Sequence, residues 1–276
     1  MMEMLLENCK RLGRFYSRRA KFALGLRLPR KELKVSLRGF CNVCGNDAQF
    51  SVTESPNLRE SLYCSSCGSK ARNRMLASGL LRIASAPPFQ SIAALASAPA
   101  GPKIFDTDCY GPIFQFLRKA DFYSSSVYIP RKPFGVNIFD KVINVDLQNM
   151  PFKDESFDVI LTSDVMEHVR RDDLAHSEIH RCLKPTGFYV FTVPFVPSWT
   201  KNQIRVDSLG AEDVYLMEKE YHGDPVTGNG VLVYRIYGNE LTEQLAKTGF
   251  EVQFDNEPDT GKGMPNKDLF ICRKLS

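Results

Sequence analysis

Two Cys-x-x-Cys knuckles, Cys41-Asn-Val-Cys44-Gly45 and Cys64-Ser-Ser-Cys67-Gly68, stand with 19 residues between Cys44 and Cys64. Few short patterns restrict a backbone more. Two intervening residues let both thiolates of a tight turn face one ion, and a following glycine permits the positive φ of that turn. The doubled spacing predicts one tetrahedral zinc held by Cys41, Cys44, Cys64 and Cys67. Four thiolates leave no open coordination position, so this ion is expected to be structural. A redox pair and four separate buried thiols are the alternatives, and the repeat with matching glycines disfavours both. Replacing Cys44 or Cys64 is expected to loosen residues 41–68 before the rest of the chain.

The remainder divides by pattern. Residues 69–101 begin as a helix over 69–85 and continue into an Ala/Ser/Pro-rich stretch, 86–101, that reads as a linker. From 102 to 276 apolar runs at 103–106, 126–129, 142–145, 157–162 and 187–193 alternate with helical patterns at 112–119 and 174–183. A helix at 239–248 and runs at 250–254 and 268–272 close the chain. Alternation of strand and helix with continuously apolar strands predicts a mostly parallel sheet covered on both faces. Ligands bind such sheets outside the carboxyl ends of the strands, near the switch point.

Charge separates the first segment from the body. Residues 1–40 hold 11 Lys/Arg against 3 Asp/Glu, and the remaining 236 residues sum to −4. Leu5, Cys9, Leu12, Tyr16, Ala20 and Ala23 share one helical face opposite Lys10, Arg14, Arg18 and Lys21. This basic amphipathic arm suits an anionic lipid surface or nucleic acid, but a helix docked on the body with its charges solvated is the favoured reading, because any surface helix shows this periodicity. The acidic body argues against a large nucleic-acid footprint. No run reaches the length of a membrane span, no secretory leader is evident at the N-terminus, and eight cysteines in a chain of this size suit a reducing cytosol. A cytoplasmic protein, membrane-associated if the arm binds lipid, is the expectation.

Several strands end in polar residues. Asp106 follows Ile104-Phe105, Asp146 follows Val145, and Ser163-Asp164 follow Ile160-Leu161-Thr162. Carboxylates at adjacent strand ends would line one crevice, although each alone is also a helix-capping residue.

The string Asp146-Leu-Gln-Asn-Met-Pro-Phe-Lys-Asp-Glu-Ser-Phe-Asp158-Val-Ile-Leu-Thr-Ser-Asp164-Val-Met-Glu167-His168-Val, continued by Glu178-Ile-His-Arg-Cys-Leu-Lys184-Pro-Thr-Gly187-Phe, resembles class I S-adenosylmethionine-dependent methyltransferases of the type 11 subgroup. Some bacterial members also carry an N-terminal double knuckle and a later Tyr-His-Gly-Asp-Pro element, present here as Tyr221-His222-Gly223-Asp224-Pro225. The resemblance implies a Rossmann-like, seven-stranded sheet and S-adenosylmethionine as cofactor. It assigns the adenine amino group to Asp146 and a ring nitrogen to the Leu147 amide. Asp106, Asp108 and Gly111 would form the first cofactor loop. Ser163 and Asp164 would face the methionine end and the acceptor, while His168 is more often a packed or capping residue. Two positions depart from the pattern. The loop Asp106-Thr-Asp-Cys-Tyr-Gly111-Pro112 has one glycine, and the second strand ends Val127-Tyr128-Ile129-Pro130, with no acid for the ribose. Asp108 and the Tyr128 hydroxyl are the groups available to replace that acid.

Residues 194–237 are too long for a simple connection. In them His222 with Asp224 reads as a general-base pair, or as the polar company of a Gly/Pro turn, with Asp164 as the next catalytic candidate. The leading expectation is a methyltransferase for an unidentified acceptor, a small molecule or glycan. An RNA methyltransferase, and a non-catalytic scaffold binding a partner through its zinc ribbon, are the competing readings.

Overall fold

The apolar runs assemble into one eight-stranded sheet, with a small cysteine-bearing sheet packed beside it. The computed structural model describes residues 36–52, 57–84, 89–223 and 230–275. Most of the basic arm, to residue 35, and Asp224 lie outside the described residues. No helix among the described residues is long and apolar enough to cross a membrane.

The N-terminal sheet is antiparallel, β1 (Ser36–Phe40) with β2 (Asp47–Val52) and β2 with β3 (Leu62–Cys64). The short helix α1 (Leu58–Ser61) precedes β3, and α2 (Ala71–Ala84) follows the second knuckle. Within the stretch expected to be a linker stands α3 (Ile92–Ala96), with Ile92 and Leu95 buried. Ser91 caps it by accepting the Ala94 amide at 3.1 Å. The Ile92 and Ala93 amides donate to the carbonyls of Asn42 and Val43 in the first knuckle. Composition alone does not separate an Ala/Ser linker from a short docked helix, because the difference is a tertiary contact.

The main sheet contains β4 (Ile104–Asp106), β5 (Tyr123–Val127), β6 (Asn137–Phe139), β7 (Val142–Asn144), β8 (Phe157–Ser163) and β9 (Leu183–Thr192). Between β9 and the closing strands, three two-residue pairs form a layer of hairpins. They are β10 (Gln203–Ile204) with β15 (Arg235–Ile236), β11 (Val206–Asp207) with β12 (Val214–Tyr215), and β13 (Tyr221–His222) with β14 (Val231–Leu232). Strands β16 (Phe250–Asp255) and β17 (Leu269–Lys274) complete the sheet, in the order β16-β17-β9-β8-β4-β5-β7-β6. Strands β7, β5, β4, β8 and β9 run parallel, and β17 is antiparallel to both its neighbours. Seven of these strands answer to the expected runs. The eighth, β6, is an antiparallel edge strand whose register on β7 is irregular.

Period-two alternation sends neighbouring residues to opposite faces. Ile104, Val159, Leu161, Val190 and Ile271 join α2, α3, α4 (Pro112–Leu117) and the cysteine-bearing sheet in one core. Phe105, Ile160, Tyr189, Phe191, Phe270 and Cys272 join α5 (Asp172–Cys182) and α6 (Glu240–Lys247) in the other. The cross-strand pair Phe191–Phe270 stacks at 4.9 Å between ring centroids. Burial of each such ring is worth about 1.5–3 kcal/mol.

Candidate active site

The carboxyl ends of β4, β5, β7, β8 and β9 share one edge, and the chain reverses its direction of winding between β4 and β8. That switch point is where an open α/β sheet leaves a crevice. Asp106, expected along it, is fully buried instead. Its carboxylate accepts the Tyr123 hydroxyl at 2.8 Å and the Asp108 amide at 3.0 Å. Burial, reinforced by the Asp108 carboxylate, pushes Asp106 up to about 8. An acid raised on folding binds its proton more tightly in the native state, so its contribution to stability falls as pH rises from about 4 towards 8. Asp106→Asn is expected to remove that part of the dependence, at most about 1.4 kcal/mol per pH unit. Urea unfolding of both proteins at pH 5 to 8 checks it, and parallel stability curves would refute a protonated Asp106.

Asp108 closes the single-glycine loop on itself. Its Oδ1 accepts the amides of Tyr110 at 2.8 Å and Gly111 at 2.7 Å, just before α4. A Cβ at Gly111 would sit 1.9 Å from Asp108 Oδ2, so any larger residue there would have to displace this carboxylate. Asp108 therefore fills the helix N-terminus that a cofactor anion would otherwise meet.

Asp146 stands in a turn at the end of β7, where its Oδ1 accepts the Gln148 amide at 2.9 Å and Gln148 Nε2 at 3.0 Å. Leu147 beside it is buried. Tyr128, exposed at the end of β5, stacks on Phe134 at 5.9 Å. Burial and the Asp146 charge both raise its hydroxyl pKa, which places the phenol in the field of that carboxylate. Buried Asn144 fixes the loop after β5 by accepting the Ile129 amide and donating to the carbonyls of Ile129, Lys132 and Pro133. Several charged residues of the long motif are braces. Glu178 accepts the Met150 amide at 2.7 Å, Arg181 donates to the Met150 and Phe152 carbonyls, and Lys184 pairs with Asp158 at 2.8 Å.

The Ser163–Asp164 end is occupied by arginines that sequence reasoning did not single out for this site. Arg59 on α1 holds Asp164 with two bonds of 2.5 and 2.6 Å and reaches Asp268 through Nε at 2.8 Å. Arg72 on α2 donates to the Ser163 hydroxyl at 2.7 Å and lies 3.2 Å from Asp164. Glu60 takes Arg72 at 2.6 Å and Lys70 at 3.1 Å. Three cations thus face three carboxylates. Burial opposes ionisation of Asp164, but Arg72, Arg59 and the Thr192 hydroxyl hold its carboxyl well below the usual range. Asp268 has only the remaining edge of Arg59, and burial lifts it to about 6. Asp164 itself adopts φ 51°, a left-handed conformation uncommon for a side-chain-bearing residue.

Two residues beyond Asp164, the turn Met166–His168 meets the hairpin layer. The Tyr234 amide donates to the Glu167 carbonyl at 2.8 Å, and Arg235 donates to the carbonyls of Met166, Val169 and Arg170. His222 comes to this turn on β13 and lies edge-on to His168, with ring centroids 5.1 Å apart. Its carboxylate neighbours among the described residues are Glu167, 3.8 Å from Nδ1, and Glu220, 3.3 Å from Nε2. Glu167 and Glu220 outweigh desolvation and raise the His222 pKa. Asp224, the acid nearest in sequence, lies outside the described residues, and Glu167 and Glu220 are the acids that the described residues bring to His222.

The cysteine knuckles converge as their spacing predicts. All four sulfurs lie within 4.8 Å of one another, and those of Cys41 and Cys67 are 3.8 Å apart. Tetrahedral Zn–S bonds of about 2.3 Å require about 3.8 Å between sulfurs. Gly45 and Gly68 adopt φ 76° and 72°, the conformation expected of them. Arg74, fully buried beside the cluster, donates to the carbonyls of Ser69, Leu62, Lys262 and Gly263. Burial lowers its pKa and the four cysteines oppose that, as a cation beside thiolates should behave.

Residues 120–191, running from β5 into β9, match the family model described as a methyltransferase domain. A sterol methyltransferase-like 1 protein of Botryococcus braunii is 27% identical over 125 residues, which cover 45% of this chain and 28% of that protein. The match therefore spans little more than a quarter of that relative. Among solved structures, a methyltransferase of Methanosarcina mazei is 19% identical, covering 63% of this chain and 92% of its own at a TM-score of 0.38. One of Mesorhizobium loti is 14% identical, covering 66% and 95% at a TM-score of 0.42. A 1,6-didemethyltoxoflavin-N1-methyltransferase of Burkholderia thailandensis is 15% identical, covering 75% and 79% at a TM-score of 0.40.

Proposed function

We propose that this chain, which belongs to the S-adenosylmethionine-dependent methyltransferases, transfers a methyl group to an acceptor seated between the strand ends and the hairpin layer. The observation that supports this best is the shared edge on which Asp146-Leu147, Ser163-Asp164 and the Glu167–His168 turn follow β7 and β8. S-adenosylmethionine, when bound, supplies an electrophilic methyl group on sulfur. The chain's own residues supply proximity and orientation.

Asp146 takes its internal hydrogen bonds on Oδ1, and its second oxygen would accept the adenine amino group beside the exposed Tyr128–Phe134 stack. Arg72 and Arg59 are the cations at the methionine end, where a carboxylate would share them with Asp164. A hydroxyl or amine acceptor must lose its proton, and the imidazoles of His168 and His222 face the same edge. Exposed Leu209, Val214, Leu216, Met217 and Tyr221 concentrate on the hairpin layer and fit a small-molecule or glycan acceptor with an apolar portion. The four cysteines hold a structural zinc in this reading, with Arg74 offsetting the thiolate charge.

A second reading follows from the loop and the arginines. Asp108 capping Gly111, and Arg59 with Arg72 filling the Ser163–Asp164 end, are what a non-catalytic scaffold of this fold would show. Calorimetric titration with S-adenosylmethionine and S-adenosylhomocysteine separates the two. The enzyme reading expects both to bind, and Asp146→Ala to weaken them by about 1–3 kcal/mol, the loss of a hydrogen bond made to a charged group. Absence of binding by the wild-type chain would favour the scaffold.

A further inference from the structure

Glu167 presents a physical contradiction that the methyltransferase reading leaves unused. Its side chain is fully buried, and among the described residues neither carboxylate oxygen has a hydrogen-bond partner. A buried carboxylate in that condition is strongly destabilising unless a cation meets it. Arg235, on β15 beside this turn, is taken up by three backbone carbonyls and by Asp172 at 3.4 Å.

Two imidazoles point at the same oxygen. His168 Nε2 lies 3.6 Å and His222 Nδ1 3.8 Å from Glu167 Oε1. Their tautomers follow from their other nitrogens. His168 Nδ1 is 2.8 Å from the Leu232 carbonyl, which can only accept, so Nδ1 carries the hydrogen and Nε2 the lone pair. His222 Nε2 faces Glu220 Oε1 at 3.3 Å, and by the same argument the neutral ring carries its lone pair on Nδ1. In their neutral forms the two rings turn lone pairs towards the Glu167 carboxylate, and a proton on His222 Nδ1 is the state that competes with a metal for this point.

We propose that Glu167, His168 and His222 bind a divalent first-row cation, zinc or a close neighbour, in a site with an open coordination position. Metal–ligand bonds of about 2.1 Å set tetrahedral ligands about 3.4 Å apart, a contraction of a few tenths of an ångström from the two Glu167–imidazole distances, and all three ligand atoms lie within 4.8 Å of one another. Two histidines and one glutamate are the donor set of zinc sites that keep a fourth position for water or substrate. The outer partners fit as well, since metal-bound histidines usually donate their second N–H to a carbonyl or carboxylate. Leu232 and Glu220 fill those roles. His222, with 35% of its side chain exposed, gives the ion a path from solvent. The site is distinct from the cysteine cluster in both residues and chemistry, and it stands whether or not the chain transfers methyl groups.

The test uses the full chain with metal retained on its cysteines, titrated with Zn²⁺ alone by calorimetry and counted by elemental analysis. Wild type is expected to take one ion more than Glu167→Gln, whose cysteines are unchanged. Glu220→Gln, altering a partly exposed side chain, is expected to keep the extra ion but bind it about 10–100-fold more weakly. Imidazole ¹⁵N spectra of the wild-type chain give an independent readout, with His168 Nε2 and His222 Nδ1 shifting on addition of Zn²⁺. Equal uptake and affinity in wild type and Glu167→Gln would overturn the site. So would spectra in which His222 Nδ1 stays protonated in the presence of Zn²⁺, showing that a proton rather than a metal resolves the cluster.

Discussion

Stripping the proposed zinc from the four cysteines is expected to unfold the main sheet together with the knuckles, in one transition. From sequence the ribbon looks like an appendage, and residues 41–68 are expected to loosen first. Packing leads to a different result. Cys41, Val43, Phe50, Leu62 and Cys64 are buried in the same cluster as Met75, Leu80, Val190, Leu269 and Ile271. Arg74 ties the cluster to the Lys262 and Gly263 carbonyls, Asn42 Nδ2 donates to the Arg74 carbonyl, and α3 hangs its first amides on the knuckle. A structural zinc contributes about 10–16 kcal/mol in small domains, comparable with the 5–15 kcal/mol total of a typical domain. Chelation, or Cys64→Ser, should therefore lower the melting temperature by tens of degrees or abolish folding. Far-UV circular dichroism during heating, with and without chelator, checks it. A sheet that melts unchanged while the four thiols become reactive would show the ribbon to be separable.

The strands were legible because each is a local apolar run. Those at 104–106, 157–163 and 269–274 are recovered within a few residues. The hairpin pairs of 203–236 are two residues each, and their strand character depends on partners elsewhere in the chain. The cysteine site was legible for the same local reason as the strands, since its ligands come in two spaced pairs. The arginines at Asp164 were not. Arg59 and Arg72 lie 105 and 92 residues before Asp164 in sequence and sit on different helices, and nothing in their local sequence distinguishes them from solvated charges. Glu167 was visible only as part of a motif, because what singles it out is burial without partners. Glu178, Arg181, Asp158 and Lys184 belong to the motif and hold the Met150 loop and the β8–β9 connection in place.

Arg59→Ala is expected to cost about 3–5 kcal/mol, the usual result of removing one partner of a buried pair. Arg59 and Asp164 expose only 14% and 17% of their side chains, so solvent cannot take over the lost bonds. The substitution leaves Asp164 with Arg72 and Thr192, and it leaves Asp268, at 2.8 Å from Arg59, without its cation. The pH dependence fixes the sign. Asp164 ionises more easily folded than unfolded, so its contribution is present above the ordinary carboxylate range and is lost progressively as pH falls below that range towards its lowered folded pKa. Arg59→Ala should therefore lose most stability at neutral pH and less near pH 3, which denaturant titrations at both values measure. Asp164→Asn in the Arg59→Ala background should recover part of the loss, because an amide removes the stranded charge and asparagine also tolerates the left-handed φ of this position. A double-mutant cycle isolates the pair from the rest of the network. An Arg59→Ala protein as stable as wild type at pH 7, with no coupling to Asp164→Asn, would mean that Arg72 alone neutralises Asp164. Arg59 would then be available, at no cost to the fold, to the carboxylate of a bound cofactor.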